Sequence, residues 1–204
     1  MNRRKALLVS SLALVGAAVV AAAVLGRRAT AQPSDRDPVA RGRYLVTTMM
    51  CNDCHTPWHL AANGPEPDMR RMLSGHPAAA TIAQAPAALK APWVAMASET
   101  NTAWAGPWGV SFTANLTPDK ETGLGTWTAE MFRTALRTGR HLGRGRPILP
   151  PMPWPFIGQL DDADLDAMFA YLQSIPAITN RVPEPLPPSD APAPEVGAAP
   201  ASAK

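Results

Sequence analysis

The residues best suited to chemistry are Cys51-Asn52-Asp53-Cys54-His55. Two thiols three positions apart sit on one helical turn and reach the two vinyl groups of a porphyrin, while the adjacent His55 points at its iron. The run therefore reads as the attachment sequence of a c-type haem. Three other chemistries use a C-x-x-C pair. A thioredoxin-type dithiol asks for an α/β setting with the motif at a helix start, whereas here the motif follows a helix in a chain without evident strands. A zinc site from Cys51, Cys54 and two of His55, His59, His76 and His141 satisfies donor count alone. A local disulfide would close a loop too short to stabilise much. With two cysteines in all, neither a multi-disulfide scaffold nor a zinc site built from two C-x-x-C pairs can form.

An iron held by His55 has a second axial position to fill. Of the methionines other than the initiator, Met49, Met131 and Met168 fall at or beside apolar helix faces, and Met49 and Met50 are too close to Cys51 to swing across a porphyrin. Met69, Met72 and Met96 read as core or surface filler. Met152 differs, because Leu149-Pro150-Pro151-Met152-Pro153-Trp154-Pro155 is a stiff, non-helical loop that can hold a weakly binding thioether in place. The competing reading of Met152 is simple packing against Trp154. His59 and His76 are alternative ligands, but their polar and Pro-flanked surroundings fit solvated loop histidines better. Asn115 and Trp127 carry N–H groups suited to a haem propionate or, equally, to loop packing.

Three periodic segments position these residues. Gly42, Leu45, Val46 and Met49 recur at helical spacing behind Asp37-Pro38, so a first helix runs into the cysteines. A second spans 128 to 138, with Phe132, Ala135 and Leu136 on one face, Thr128 as cap and Gly139 as stop. In the third, Leu165, Met168, Phe169 and Leu172 share a face, Asp161 caps, Asp162, Asp164 and Asp166 oppose the positive helix end, and Pro176 terminates. No alternating run long enough to seed a sheet is visible, so the expected fold class is all-α. Residues 56 to 125 are too rich in Pro and Gly for long helices, apart from a short one near 78 to 85.

Both ends of the chain differ from the middle. Residues 1 to 31 have the anatomy of an export signal: Arg3, Arg4 and Lys5, an apolar stretch from Ala6 to Gly26, then Ala29-Thr30-Ala31 as a small-x-small cleavage site. The apolar stretch is also long enough to cross a hydrocarbon core of about 30 Å, so residues 6–26 as an uncleaved inner-membrane tether is the alternative. Either way the remainder is expected in the periplasm. Residues 181 to 204 are Pro-, Ala- and Ser-rich and read as a disordered tail without a core, leaving 32 to 180 as one folded unit. The formal charge of +3 owes its sign to the leader's arginines and lysine. Without them the balance is slightly negative, which excludes general nucleic-acid affinity. Arg133, Arg137, Arg140, Arg144 and Arg146, with His141 among them, form a basic run that reads as a solvated face or as a docking patch for an acidic redox partner.

Taken together, the first helix into C-x-x-C-H, the Met152 loop and a last helix containing Ala170-Tyr171-Leu172 resemble a class I (mitochondrial-type) monohaem cytochrome c domain over most of residues 38 to 178. The chain is more closely similar to bacterial cytochrome c domains that serve membrane or periplasmic dehydrogenases. The likeness lies in Asn115-Leu116-Thr117-Pro118-Asp119, Thr122-Gly123-Leu124-Gly125-Thr126-Trp127 and Met152-Pro153-Trp154. The resemblance implies short helices packed around one covalently bound haem. It also implies thioether anchors at Cys51 and Cys54, axial ligands at His55 and Met152, and terminal helices that cross near Gly42 and Tyr171. The Pro-rich stretch between His55 and Asn115 departs from the pattern as an insertion. With both axial positions filled, the expected function is single-electron transfer between a dehydrogenase and a respiratory acceptor. The alternatives are a peroxidase-like haem enzyme with an open sixth site, assisted by His141 or an arginine, and a non-catalytic subunit of a larger complex.

Overall fold

The computed structural model describes residues 37–85 and 92–189. The leader and tether readings, part of the Pro-rich insertion and the tail beyond Ser189 lie outside the described residues. Among the described residues, no helix is long and apolar enough to cross a membrane.

Among the described residues, five α-helices form: α1 (Pro38–Thr48), α2 (Cys51–His55), α3 (Ala129–Thr138), α4 (Trp154–Ile157) and α5 (Asp162–Ser174). Their ends follow local chemistry. The Thr128 hydroxyl accepts the Met131 N–H at 3.2 Å and caps α3, and Gly139 closes it in the left-handed region at φ 65°. Carboxylates of Asp162 and Asp164 occupy the first turn of α5, where the helix dipole favours them. The first helix stops at Thr48 instead of continuing into the cysteines. Met50 adopts φ 58°, and the thiols ride on the separate single turn α2.

α1 and α5 cross at Gly42, where an added Cβ would lie 1.9 Å from the Ala167 carbonyl oxygen and 2.8 Å from Tyr171 Cβ. Only a residue without a side chain permits that approach. α3 packs on α5 through Phe132 and Phe169, their rings 5.6 Å apart. It packs on α4 through Gly139, whose α-hydrogen faces the Trp154 ring. The buried faces of these helices merge into one apolar cluster that includes Leu45, Val46, Leu136, Leu165, Met168 and Leu172.

The all-α expectation is overturned by two antiparallel sheets. One is the hairpin β1 (Trp58–Ala61) with β2 (Gly64–Pro67). The other has strand order β3 (Met96–Ala97), β4 (Ala103–Gly106), β5 (Gly109–Phe112). The strands are two to four residues long, too short for an alternating pattern to stand out from irregular chain. The turns did leave signals: Asn63-Gly64, with Gly64 at φ 119°, and Gly106-Pro107-Trp108-Gly109, with Gly109 at φ 91°. What holds the second sheet is tertiary. Ala103, Ala105, Val110 and Phe112 bury one of its faces in a small cluster with Ala85.

Two further expectations change in this region. No helix forms over 78 to 85: Ala80 N–H closes a turn on the Pro77 carbonyl at 2.9 Å, and Ala78 N–H is taken by Asn180 Oδ1 at 3.0 Å. The Pro-rich tail also contributes to a core. Leu186 exchanges both backbone hydrogen bonds with Val110, at 2.9 and 3.0 Å, and packs with Val182 on the small cluster.

Candidate functional site

α2 carries Cys51, Cys54 and His55 on a single turn that its surroundings clamp. The Asp53 carbonyl accepts from Trp58 Nε1 at 2.9 Å and from Asn101 Nδ2 at 2.8 Å. Thr56 Oγ1 donates to Asn52 Oδ1 and accepts from Leu73 N–H, both at 2.9 Å. The His55 carbonyl accepts Gly75 N–H at 2.8 Å. Trp58 and the Asn52–Thr56 pair are close neighbours in the chain, whereas Asn101, Leu73 and Gly75 arrive from later segments and have no spacing signature.

His55 is buried, and its Nδ1–H donates to the Ala114 carbonyl at 2.8 Å. That bond fixes the tautomer and leaves the Nε2 lone pair for a metal, the arrangement by which backbone carbonyls orient histidine ligands. Burial pushes the His55 pKa below its ordinary value, against a smaller opposing effect of the Ala114 bond, so the ring is a neutral donor near pH 7. The essential partner was invisible in the sequence because it is a main-chain oxygen on an alanine.

Both cysteines are free and half-buried. Burial pushes the Cys51 thiol up to about 11, with the neighbouring Cys54 adding to the shift, and raises Cys54, where the Asp53 charge adds. A redox dithiol needs a lowered pKa, so these thiols are unlike a thioredoxin pair. Among the described residues, no three His, Cys, Asp or Glu side chains gather to hold a metal ion, and the zinc set does not assemble. Instead Cys51 and Met152, a hundred residues apart in sequence, both pack against the large apolar cluster, together with Met49, Met72 and Trp127. A flat apolar group tied to Cys51 would meet apolar side chains of this cluster, and two uncharged thiols beside one neutral imidazole nitrogen suit covalent attachment of a porphyrin and ligation of its iron.

The remaining candidates go elsewhere. His76 is not a solvated loop residue: it is 1% exposed, with Nδ1 on Thr102 Oγ1 at 2.9 Å, Nε2 on the Ala80 carbonyl at 2.7 Å and its ring against Phe112. Satisfaction of both nitrogens makes burial affordable. His59 lies in β1, its Nε2 3.9 Å from Glu66 across the hairpin. Asn115 packs the loop: its amide donates to Thr122 Oγ1 at 3.1 Å and the Ile178 carbonyl at 2.8 Å, and its oxygen accepts Thr117 N–H and Oγ1–H. Trp127 stands edge-on to His141, ring centroids 5.4 Å apart.

The basic run divides. Arg133 pairs with Asp166 and Asp162, and Arg137 with Asp162 at 2.7 Å and the carbonyls of Gly158 and Leu160, so these two fasten α3 to α5. Arg140 donates to the Gly145 carbonyl and Arg146 pairs with Glu184 of the tail at 3.2 Å. Arg144 stays exposed.

No protein-family model matches the chain. Over 173 residues, 83% of the chain, it is 29% identical to the cytochrome c subunit of a quinone alcohol dehydrogenase from Gluconobacter oxydans. Over 156 residues, 73% of the chain, it is 27% identical to the fructose dehydrogenase cytochrome subunit of Gluconobacter japonicus. A shorter stretch of 65 residues, 32% of the chain, is 37% identical to the gluconate 2-dehydrogenase cytochrome c subunit of Pantoea cypripedii. The chain spans 29%, 25% and 14% of the length of these three relatives, all of them cytochrome subunits of dehydrogenases.

Proposed function

We propose that the chain is a cytochrome c domain that carries single electrons away from a dehydrogenase without catalysing substrate oxidation itself. The observation that carries the reading is the His55 Nδ1–Ala114 bond beside two free thiols on one turn. The cytochrome subunits to which the chain is similar support it. In this reading Cys51 and Cys54 would anchor one haem c through thioether bonds, and His55 Nε2 and the Met152 sulfur would hold its iron.

The haem supplies a one-electron Fe(III)/Fe(II) couple. The chain's residues do the rest. Ala114 and the clamp on Asp53 hold His55 and its turn rigid, which limits reorganisation between the two oxidation states. Met152 would keep small reactants from the iron, and its thioether would favour the reduced metal and raise the potential. The large apolar cluster excludes water beside Cys51 and Met152. The leader's anatomy supports a periplasmic domain, released or tethered through residues 6–26, with a dehydrogenase as donor and a respiratory acceptor beyond it.

Expression in cells competent for cytochrome maturation tests the proposal. Intact mass is expected to show one haem on the wild type and none on Cys51→Ala/Cys54→Ala. The oxidised wild type is expected to show the long-wavelength charge-transfer band of a methionine-ligated ferric haem, lost in Met152→Ala. A product without a porphyrin adduct overturns the reading. A haem adduct whose spectrum ignores Met152→Ala overturns the ligand assignment and points to the open-site alternative.

A further inference from the structure

We infer that Ser111 is a positioning residue for the Met152 ligand and that the small sheet exists in part to carry it. The inference rests on the axial role of Met152 proposed above. In the antiparallel pairing of β4 and β5, Ala103 faces Phe112 and Ala105 faces Val110, and these four residues enter the small apolar cluster. Their neighbours Trp104 and Ser111, also register partners, therefore point to the opposite face of the sheet. From that face the Ser111 hydroxyl donates to the carbonyl of Pro150 at 2.5 Å, two residues before Met152. A second acceptor, the Trp104 carbonyl, lies at 3.3 Å and is the weaker partner of the single hydroxyl proton. Ser111 is buried while Pro150 is exposed, so the bond is part-buried, with its donor on the protein side.

The loop needs such a tether. The residues at 150, 151 and 153 are prolines without an N–H. Within the loop, Met152 N–H reaches the Leu149 carbonyl only at 3.4 Å. The firm backbone hydrogen bonds are at its two ends, Ile148 N–H on the Gly139 carbonyl at 2.8 Å just before it and Phe156 N–H on the Pro153 carbonyl at 3.0 Å where α4 begins. Proline stiffness gives the loop a shape, and the Ser111 bond fixes where that shape sits relative to the rest of the domain. The sheet is itself pinned on its far edge by the exchange between Val110 and Leu186, one residue from Ser111. A thioether is a weak ligand, so a small loss of positioning appears as a larger population with the sulfur off the iron.

The test uses full-length holoprotein as wild type, Ser111→Ala, Ser111→Thr and Met152→Ala. The readouts are the pH midpoint at which the methionine–iron band disappears and the rate at which imidazole displaces the ligand from oxidised protein. Loss of this one part-buried hydrogen bond corresponds to about a tenfold rise in the ligand-off population. Ser111→Ala is expected to lower the midpoint by about one pH unit and to speed displacement about tenfold, while Ser111→Thr, which keeps the hydroxyl, stays near wild type. A merely structural loss would lower the denaturation midpoint without moving these ligand readouts. If Ser111→Ala does not accumulate, Ser111→Gly carries the same expectation. An unchanged midpoint and rate in a wild-type background that shows the band overturns the role of Ser111 and leaves Met152 as ligand. A wild type without the band, with a spectrum identical to Met152→Ala, overturns both.

Discussion

Gly42→Ala separates helix propensity from packing, because the two predict opposite signs. In an isolated helix the change adds about 0.8–1 kcal/mol of stability. Here the new Cβ would sit 1.9 Å from the Ala167 carbonyl oxygen, and ordinary contact begins near 3.4 Å, so α1 and α5 must part by more than 1 Å or tilt. A gap of 0.5–1 Å already forfeits about a quarter to a half of each dispersion contact along the seam, and overpacking a close crossing costs about 1–3 kcal/mol. With the upper end of that range expected for contact against rigid backbone, the net effect is destabilisation by about 2 kcal/mol, a fall in Tm of about 4–8 °C. Thermal unfolding of the holoprotein followed by far-ultraviolet circular dichroism measures it. A second readout is the spectrum of the proposed haem, because α1 ends three residues before Cys51 and its displacement shifts α2. A Tm equal to or above wild type would refute the claim that this crossing is closed to a side chain.

Two further outcomes follow from contacts that tie distant segments together. Arg41 binds both carboxylate oxygens of Asp164 at 2.9 Å across α1 and α5 and holds the Asp164 pKa below its ordinary value. A depressed folded pKa means stability present above the ordinary Asp value of about 3.9 and lost as pH falls through the folded one. Asp164→Asn should therefore cost about 1 kcal/mol at pH 7 and progressively less below about pH 4; a cost independent of pH would contradict the ion pair. Truncation after Asn180 removes the Leu186 partner of Val110 but keeps the Asn180 bonds to the Ser74 and His76 carbonyls. Hydrogen exchange at the Val110 amide should then accelerate by at least about tenfold with little change in α1 and α5 amides, and equal protection in both forms would show that the tail does not hold the sheet.

The sequence alone determined the chemistry and the helices that frame it. Cys51, Cys54 and His55 are legible because the attachment proposed for them depends on spacing along one turn, and Gly42, Thr128, Gly139 and the apolar faces of α1, α3 and α5 are legible because helix periodicity and capping are local properties. Met152 was visible as a methionine in a stiff proline loop. Tertiary structure decided what short-range pattern cannot encode. The acceptor that sets the His55 tautomer is a backbone carbonyl at Ala114, which any residue could supply. His76 reads as a loop histidine until Thr102 and Ala80 satisfy its nitrogens inside the protein. Arg133 and Arg137 read as a charged face until the carboxylates of α5 meet them. The sheet escaped notice because its strands are shorter than the period needed to recognise them, and it forms because Leu186 and Val182, from a segment whose composition suggests no core, cover its apolar side. Local order follows from neighbours along the chain, whereas register, tautomer and burial follow from which remote groups complete each hydrogen bond and each apolar face.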